Sequence, residues 1–204
     1  MFFVFLAVFI VPILPVEWRK FSYSVLFTCI YFMSALAMEK HRKSFLRFAI
    51  ALFLVEWISS VFGIRYVYEL SRILSVIFFI IVVGRMIAMI AGAKVVSAKT
   101  IIEAINGYLL LSIVFGLLVM FVTIANPGSF NFPSLAEGST IDQFDFSAPM
   151  YFSLVTITTL GYGDIVPQTT IARSLATFMG VAGQLYIAII LALLVGKYAS
   201  RRSS

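Results

Sequence analysis

An apolar stretch over residues 146–158 spans thirteen positions, about 20 Å as a helix, too short to cross ~30 Å of hydrocarbon. It runs into Thr156-Ile157-Thr158-Thr159-Leu160-Gly161-Tyr162-Gly163-Asp164, and a longer apolar run follows over 171–198. Pro167 lies between the two. A chain with this pattern enters a membrane part way and turns back. Irregular backbone at membrane depth is tolerated only inside protein or beside a water-filled cavity, so the turn must be enclosed. Gly161 and Gly163 occupy alternate positions, and glycine accepts φ > 0 at little cost. That alternation lets successive carbonyls swing to one side of the chain.

The bilayer is the expected solvent for the whole chain. Of 204 residues, 62% are apolar and 12% charged, more apolar surface than a soluble domain of this length can hide. The mean hydropathy is +1.06. The net charge of +6 reads as loop charge that fixes membrane orientation, not as a nucleic-acid surface. Cys29 is the single cysteine, which excludes an intrachain disulfide. No zinc, nucleotide-phosphate or nucleic-acid motif is present, and no cofactor or nucleic-acid partner is expected. The chain opens without a basic stretch or a small-residue cleavage site, so a first membrane helix is expected there and not a signal peptide.

Six apolar segments can be drawn, over 1–16, 21–38, 45–62, 70–91, 104–125 and 171–198. The first carries Pro12 and Pro15 and is short. Basic residues group at Lys40, Arg42 and Lys43, at Lys94 and Lys99, and at Lys197, Arg201 and Arg202. With six crossings these fall on one side, the cytoplasm by the bias of such loops, with both termini there. Arg19, Lys20 and Arg65 fall on the other. Asn126-Pro127-Gly128 ends the fifth segment, and residues 91–102 mix polar and apolar positions as a short interfacial helix does.

The nine-residue core, set between a short apolar helix and a long one, resembles the tetrameric potassium channels, in particular the bacterial six-segment type. For that class the arrangement is known: four loops of sequence TVGYG line a filter with rings of backbone carbonyls that replace the ion's water. The resemblance implies an all-α membrane protein with six transmembrane helices, and a re-entrant pore helix and filter loop between helices five and six. It implies a homotetrameric pore in the cell membrane that passes potassium passively and is not an enzyme. Expected divisions are a four-helix domain over 1–91, resembling a voltage-sensor domain, and an interfacial linker helix over 92–103. A pore domain over 104–198 and a cytoplasmic tail over 199–204 follow. Within the pore domain, the outer helix is 104–125, the pore helix 146–158, the filter 159–163 and the inner helix 171–198. By resemblance the potassium ions, the permeant ligand, meet Thr159, Leu160, Gly161, Tyr162 and Gly163. The carbonyls of Thr159, Leu160, Gly161 and Tyr162 line the sites, and the Thr159 hydroxyl forms the innermost ring. Filter support falls to Asp164, Tyr151, Phe152 and Thr158. Tyr162 is expected to turn outward and pack behind the filter. Leu160 stands where the family usually has Val or Ile, Tyr151 and Phe152 stand where voltage-gated members have Trp, and Val155 replaces a glutamate found in some members.

Several positions carry two readings. Gly183, twenty-two residues past Gly161, is a candidate hinge by resemblance or a close-packing glycine, and Gly180 suits the packing reading better. Ile187, Leu191 and Val195 are candidate gate or cavity residues, while Ala188, Ala192 and Gly196 form a candidate helix contact face. Glu137, Asp142, Asp145 and Asp164 collect at the expected outer mouth. Segment four has Arg72 and Arg85 thirteen positions apart, nearly opposite around a helix. A voltage sensor needs charge at every third position, because one charge yields only ~2.3 kcal/mol per 100 mV. Weak or no voltage dependence is therefore expected. Glu56 is an intramembrane charge with Arg72 or Arg85 as candidate partner. A weakly selective cation channel, a secondary transporter and a non-conducting subunit of a mixed channel remain as competing classes. The transporter is disfavoured because no duplicated halves are present.

Overall fold

The computed structural model describes residues 2–36, 42–62, 65–92, 97–132 and 145–202. The elements are α1 (Phe2–Phe5), α2 (Val16–Leu36), α3 (Arg42–Phe62), α4 (Arg65–Gly92), α5 (Ala98–Ala125), α6 (Ser147–Ile157) and α7 (Thr170–Arg202). The chain divides into two compact units, Phe2–Val82 and Val83–Ser204, and the division falls within α4.

The first unit opens irregularly. After α1, Leu6–Ile10 forms a π-helical turn and Val11–Ile13 a 3-10 turn. Pro15 then stops the run, because a residue before proline is pushed from the α region, and Leu14 is extended with ψ 156°. The expected first crossing over 1–16 is thus a broken helix ending at Ile13, and α2 starts directly at Val16 instead of 21. On α2, Tyr23, Phe27, Ile30 and Tyr31 are buried, the i, i+4, i+7, i+8 positions of one helical face. Tyr31 stacks on Phe79 at 5.0 Å and meets Phe78 edge-on at 5.4 Å, and Phe45 and Phe48 of α3 also reach Phe78. Aromatic contacts of this kind dominate the core of this unit.

In the second unit, Ser97 caps α5, exchanging bonds with Thr100 in a capping box. No breaker follows, and Lys99 pairs with Glu103 at 3.8 Å one turn on. Residues 98–103 are therefore the start of α5, and the separate linker helix expected over 92–103 is absent there. The expected domain boundary at 91 is displaced too. Ile90, with Ile87 packed beside it, forms a cluster with Ala104, Tyr186 and Ile190, so the last turns of α4 pack with the second unit.

Among the described residues, three helices are long and apolar enough to cross a membrane, Ile73–Gly92, Ala98–Ala125 and Thr170–Gly196. Ser147–Ile157 is one of the shorter apolar helices, as the thirteen-residue limit anticipates. Helix α6 lies against both α5 and α7. Gly116 permits the first approach, since a Cβ there would stand 3.3 Å from the Met150 Cα. A buried Ser153 hydroxyl then donates to Ser112 O at 2.7 Å.

Candidate ion-conduction site

Helix α6 ends where its backbone must reverse. Thr158 caps it, donating its hydroxyl to Leu154 O at 2.6 Å. The next amides turn back onto the helix: Thr159 N–H donates to Thr156 O at 3.1 Å. Leu160 and Gly161 N–H both donate to Val155 O, at 3.0 and 3.3 Å. Positive φ then alternates along the chain, at Thr159 (62°), Gly161 (54°) and Gly163 (80°). Glycine takes this conformation freely, whereas Thr159 is an L-residue held there against a cost of order 1–3 kcal/mol. Strain of that kind persists where the surroundings over-determine it. With amides pinned to the helix end, the opposite side of the peptide ribbon is left to its carbonyls. The Thr159 hydroxyl donates to Thr158 O at 2.6 Å. Leu160 and Tyr162 are exposed, at 58% and 67%, so their own chain does not cover them.

The support residues divide. Tyr151 donates its hydroxyl to Asp164 Oδ2 at 2.7 Å, joining α6 to the residue after the second glycine. That bond holds the Asp164 carboxyl below the usual carboxylate range and the Tyr151 phenol above the usual tyrosine range. Phe152 faces the other way. It is buried in a cluster with Phe115, Val119, Ile157, Ile165 and Met179, and meets Phe130 edge-on at 5.0 Å.

Gly183 is a contact point. A Cβ there would stand 2.8 Å from Ile157 Cβ and 2.9 Å from Ile157 Cα, so only glycine lets α7 touch the end of α6. Gly180 has no such neighbour within 4 Å of an added Cβ, so within the chain the packing reading suits Gly183 better than Gly180, the reverse of the order expected. The packed face of α7 runs through Ala172, Met179, Gly183, Tyr186 and Ile190. Ala188, Ala192 and Gly196 are exposed, so the expected contact face is not one within the chain. Large side chains at Tyr186 and Ile190 bury more area than small ones and won that face. Ile187, Leu191 and Val195 are exposed at 42%, 60% and 60%. Arg85 is exposed. The side chains of Glu56 and Arg72 lie outside the described residues, as do Glu137 and Asp142. Asp145 lies at the start of α6, where it accepts from the Ser147 N–H at 3.1 Å.

Two groups escaped the sequence reading. Tyr108 of α5 donates its hydroxyl to Ile157 O at 3.0 Å. Its ring lies 5.6 Å from that of Tyr186, which donates to Ala104 O at 2.7 Å. A polar-tipped ring on an apolar helix was the available clue. Asn131 bonds the segment after the glycine motif, an ordinary task for Asn in a turn-rich loop.

A short helix thus packs between two helices long and apolar enough to cross a membrane, and ends in a ribbon with alternating backbone handedness. Residues 108–199 match a family model described as "Ion channel". A probable potassium channel protein 2 of Methanocaldococcus jannaschii is 49% identical over 37 residues, 18% of this chain and 11% of that one. The A-type voltage-gated potassium channel KCND3 of Rattus norvegicus and that of Homo sapiens are each 33% identical over 64 residues, 31% of this chain and 10% of theirs. The chain spans about a tenth of the length of these relatives. No solved structure matches. Over residues 108–199, a little under half of the chain, it is therefore similar to ion channels, and over shorter stretches to potassium channels.

Proposed function

We propose that four copies of this chain assemble around one axis into a potassium-selective pore. In it the carbonyls of Thr159, Leu160, Gly161 and Tyr162 replace the ion's hydration shell. The observation that carries this reading is the alternation of positive φ at Thr159, Gly161 and Gly163, with the amides of Thr159, Leu160 and Gly161 bonded back onto α6. One chain supplies a quarter of each carbonyl ring, so conduction requires assembly. The exposed Ile187, Leu191 and Val195 would line the cavity below the filter, where an apolar ring gates by dewetting. Asp164 at the outer end of each filter raises local cation concentration when repeated four times.

The membrane topology proposed is six crossings of the cell membrane with both termini cytoplasmic. Only Arg72 and Arg85 punctuate the apolar part of α4, so voltage dependence is weak or absent. Currents from the purified protein in planar bilayers test the function. Under a potassium/sodium gradient the reversal potential is expected near the potassium equilibrium value. A reversal near zero would assign a weakly selective cation pore, and absence of unitary current would assign a non-conducting subunit.

A further inference from the structure

The residue that follows the filter is held from two sides. Its carboxylate takes the Tyr151 hydroxyl, and its main chain is gripped by the loop after α5. Asn131 Oδ1 accepts from the Val166 N–H, Asn131 Nδ2 donates to Asp164 O at 3.5 Å, and the Asn131 N–H donates to Val166 O at 3.3 Å. Adjacent to this grip, Phe130 and Pro167 form an antiparallel bridge and Gln168 N–H donates to Ser129 O at 2.8 Å. Alternation along this extended segment aims the amide. Phe130 and Phe132 are buried at 2% and 3%, within the cluster that holds Phe152 and Ile165, while Asn131 between them is exposed.

We propose that Asn131 is a positioning residue for the outer end of the filter. Its carboxamide clamps the main chain of Asp164 and Val166 and thereby sets how firmly the Tyr162 and Gly163 peptides are held. This rests on the filter reading above. A carboxamide suits the task because it donates and accepts at once. Leucine of similar size does neither, and aspartate retains only the acceptor toward Val166. When the clamp is lost, the filter mouth rearranges more readily whenever its outermost ion leaves, so the effect must depend on external potassium.

The test is macroscopic current decay for wild type, Asn131→Leu and Asn131→Asp in bilayers at low and high external potassium. Asn131→Leu is expected to decay roughly fivefold to tenfold faster at low potassium, the change from losing about one net hydrogen bond. High potassium restores the wild-type rate, and Asn131→Asp falls between. A leucine variant that decays at the wild-type rate at every potassium concentration overturns the proposal, as does acceleration equal at both concentrations. Hydrogen exchange at the Val166 amide in the wild-type protein gives a second reading that needs neither a folded variant nor conduction. Protection beyond that of neighbouring loop amides supports the clamp, and fast exchange overturns it even where the currents are potassium-selective. A wild type that carries no potassium current refutes the reading of a pore that conducts by itself, and the Val166 amide then decides the clamp alone.

Discussion

At the residue scale, the bond from Tyr151 on α6 to Asp164 would brace the proposed filter. The signs of their shifts define a pH window. Asp164 is lowered, so its contribution is present above the ordinary carboxylate value of about 3.9 and is lost only as external pH falls through the lowered one. Tyr151 is raised, so its contribution is present below about 10 and lost as pH rises through the raised value. The current should therefore be stable to external pH from about 5 to about 9, and Tyr151→Phe should shorten its lifetime throughout that range. A midpoint near pH 7 in the wild type would contradict the brace. Gly183 offers a second test. Gly183→Ala forces a Cβ onto backbone at Ile157 and should destabilise the protein by about 1–3 kcal/mol in detergent unfolding, whereas Gly180→Ala should be tolerated. A freely flexing hinge would instead make the two variants alike. The glycine motif was legible because φ > 0 selects glycine strongly. The roles of Gly180 and Gly183 were not, because spacing along one helix does not tell which face a neighbouring element will meet.

At the scale of elements, α6 was the most legible. Its length followed from thirteen apolar residues and its end from the glycines. The face of α7 that packs within the chain was not legible in advance, because it centres on Tyr186, whose hydroxyl reaches a backbone carbonyl on α5, while Ala188, Ala192 and Gly196 stay exposed. Gly107 makes room for that ring, as a Cβ there would lie 3.4 Å from the Tyr186 Cζ and closer still to its hydroxyl. Tyr186→Phe should cost about 1 kcal/mol of stability with conduction retained, read from unfolding in detergent and unitary conductance. The start of α5 was misread for a different reason. A polar Ser97–Thr100 pair looked like a linker but serves as a cap. Helix α4 belongs to this scale as well. With two arginines thirteen positions apart, its conductance–voltage relation should be shallow, and a steep curve would refute the absence of a sensor.

For the whole molecule, hydropathy pointed to lipid as the solvent, and three helices long and apolar enough to cross a membrane are present among the described residues. Pro12 and Pro15 marked the first segment as irregular, whereas the division within α4 was hidden, because side-chain packing acts below the resolution of a hydropathy count. Assembly is the central claim, since neither the exposed Tyr162 nor the exposed face of α7 is covered by its own chain. A density map of the purified protein in potassium tests it most directly. Four chains should surround a line of ion density flanked by the carbonyls of Thr159, Leu160, Gly161 and Tyr162. A map that placed Gly161 and Gly163 away from the central axis, or showed no ions between them, would contradict it.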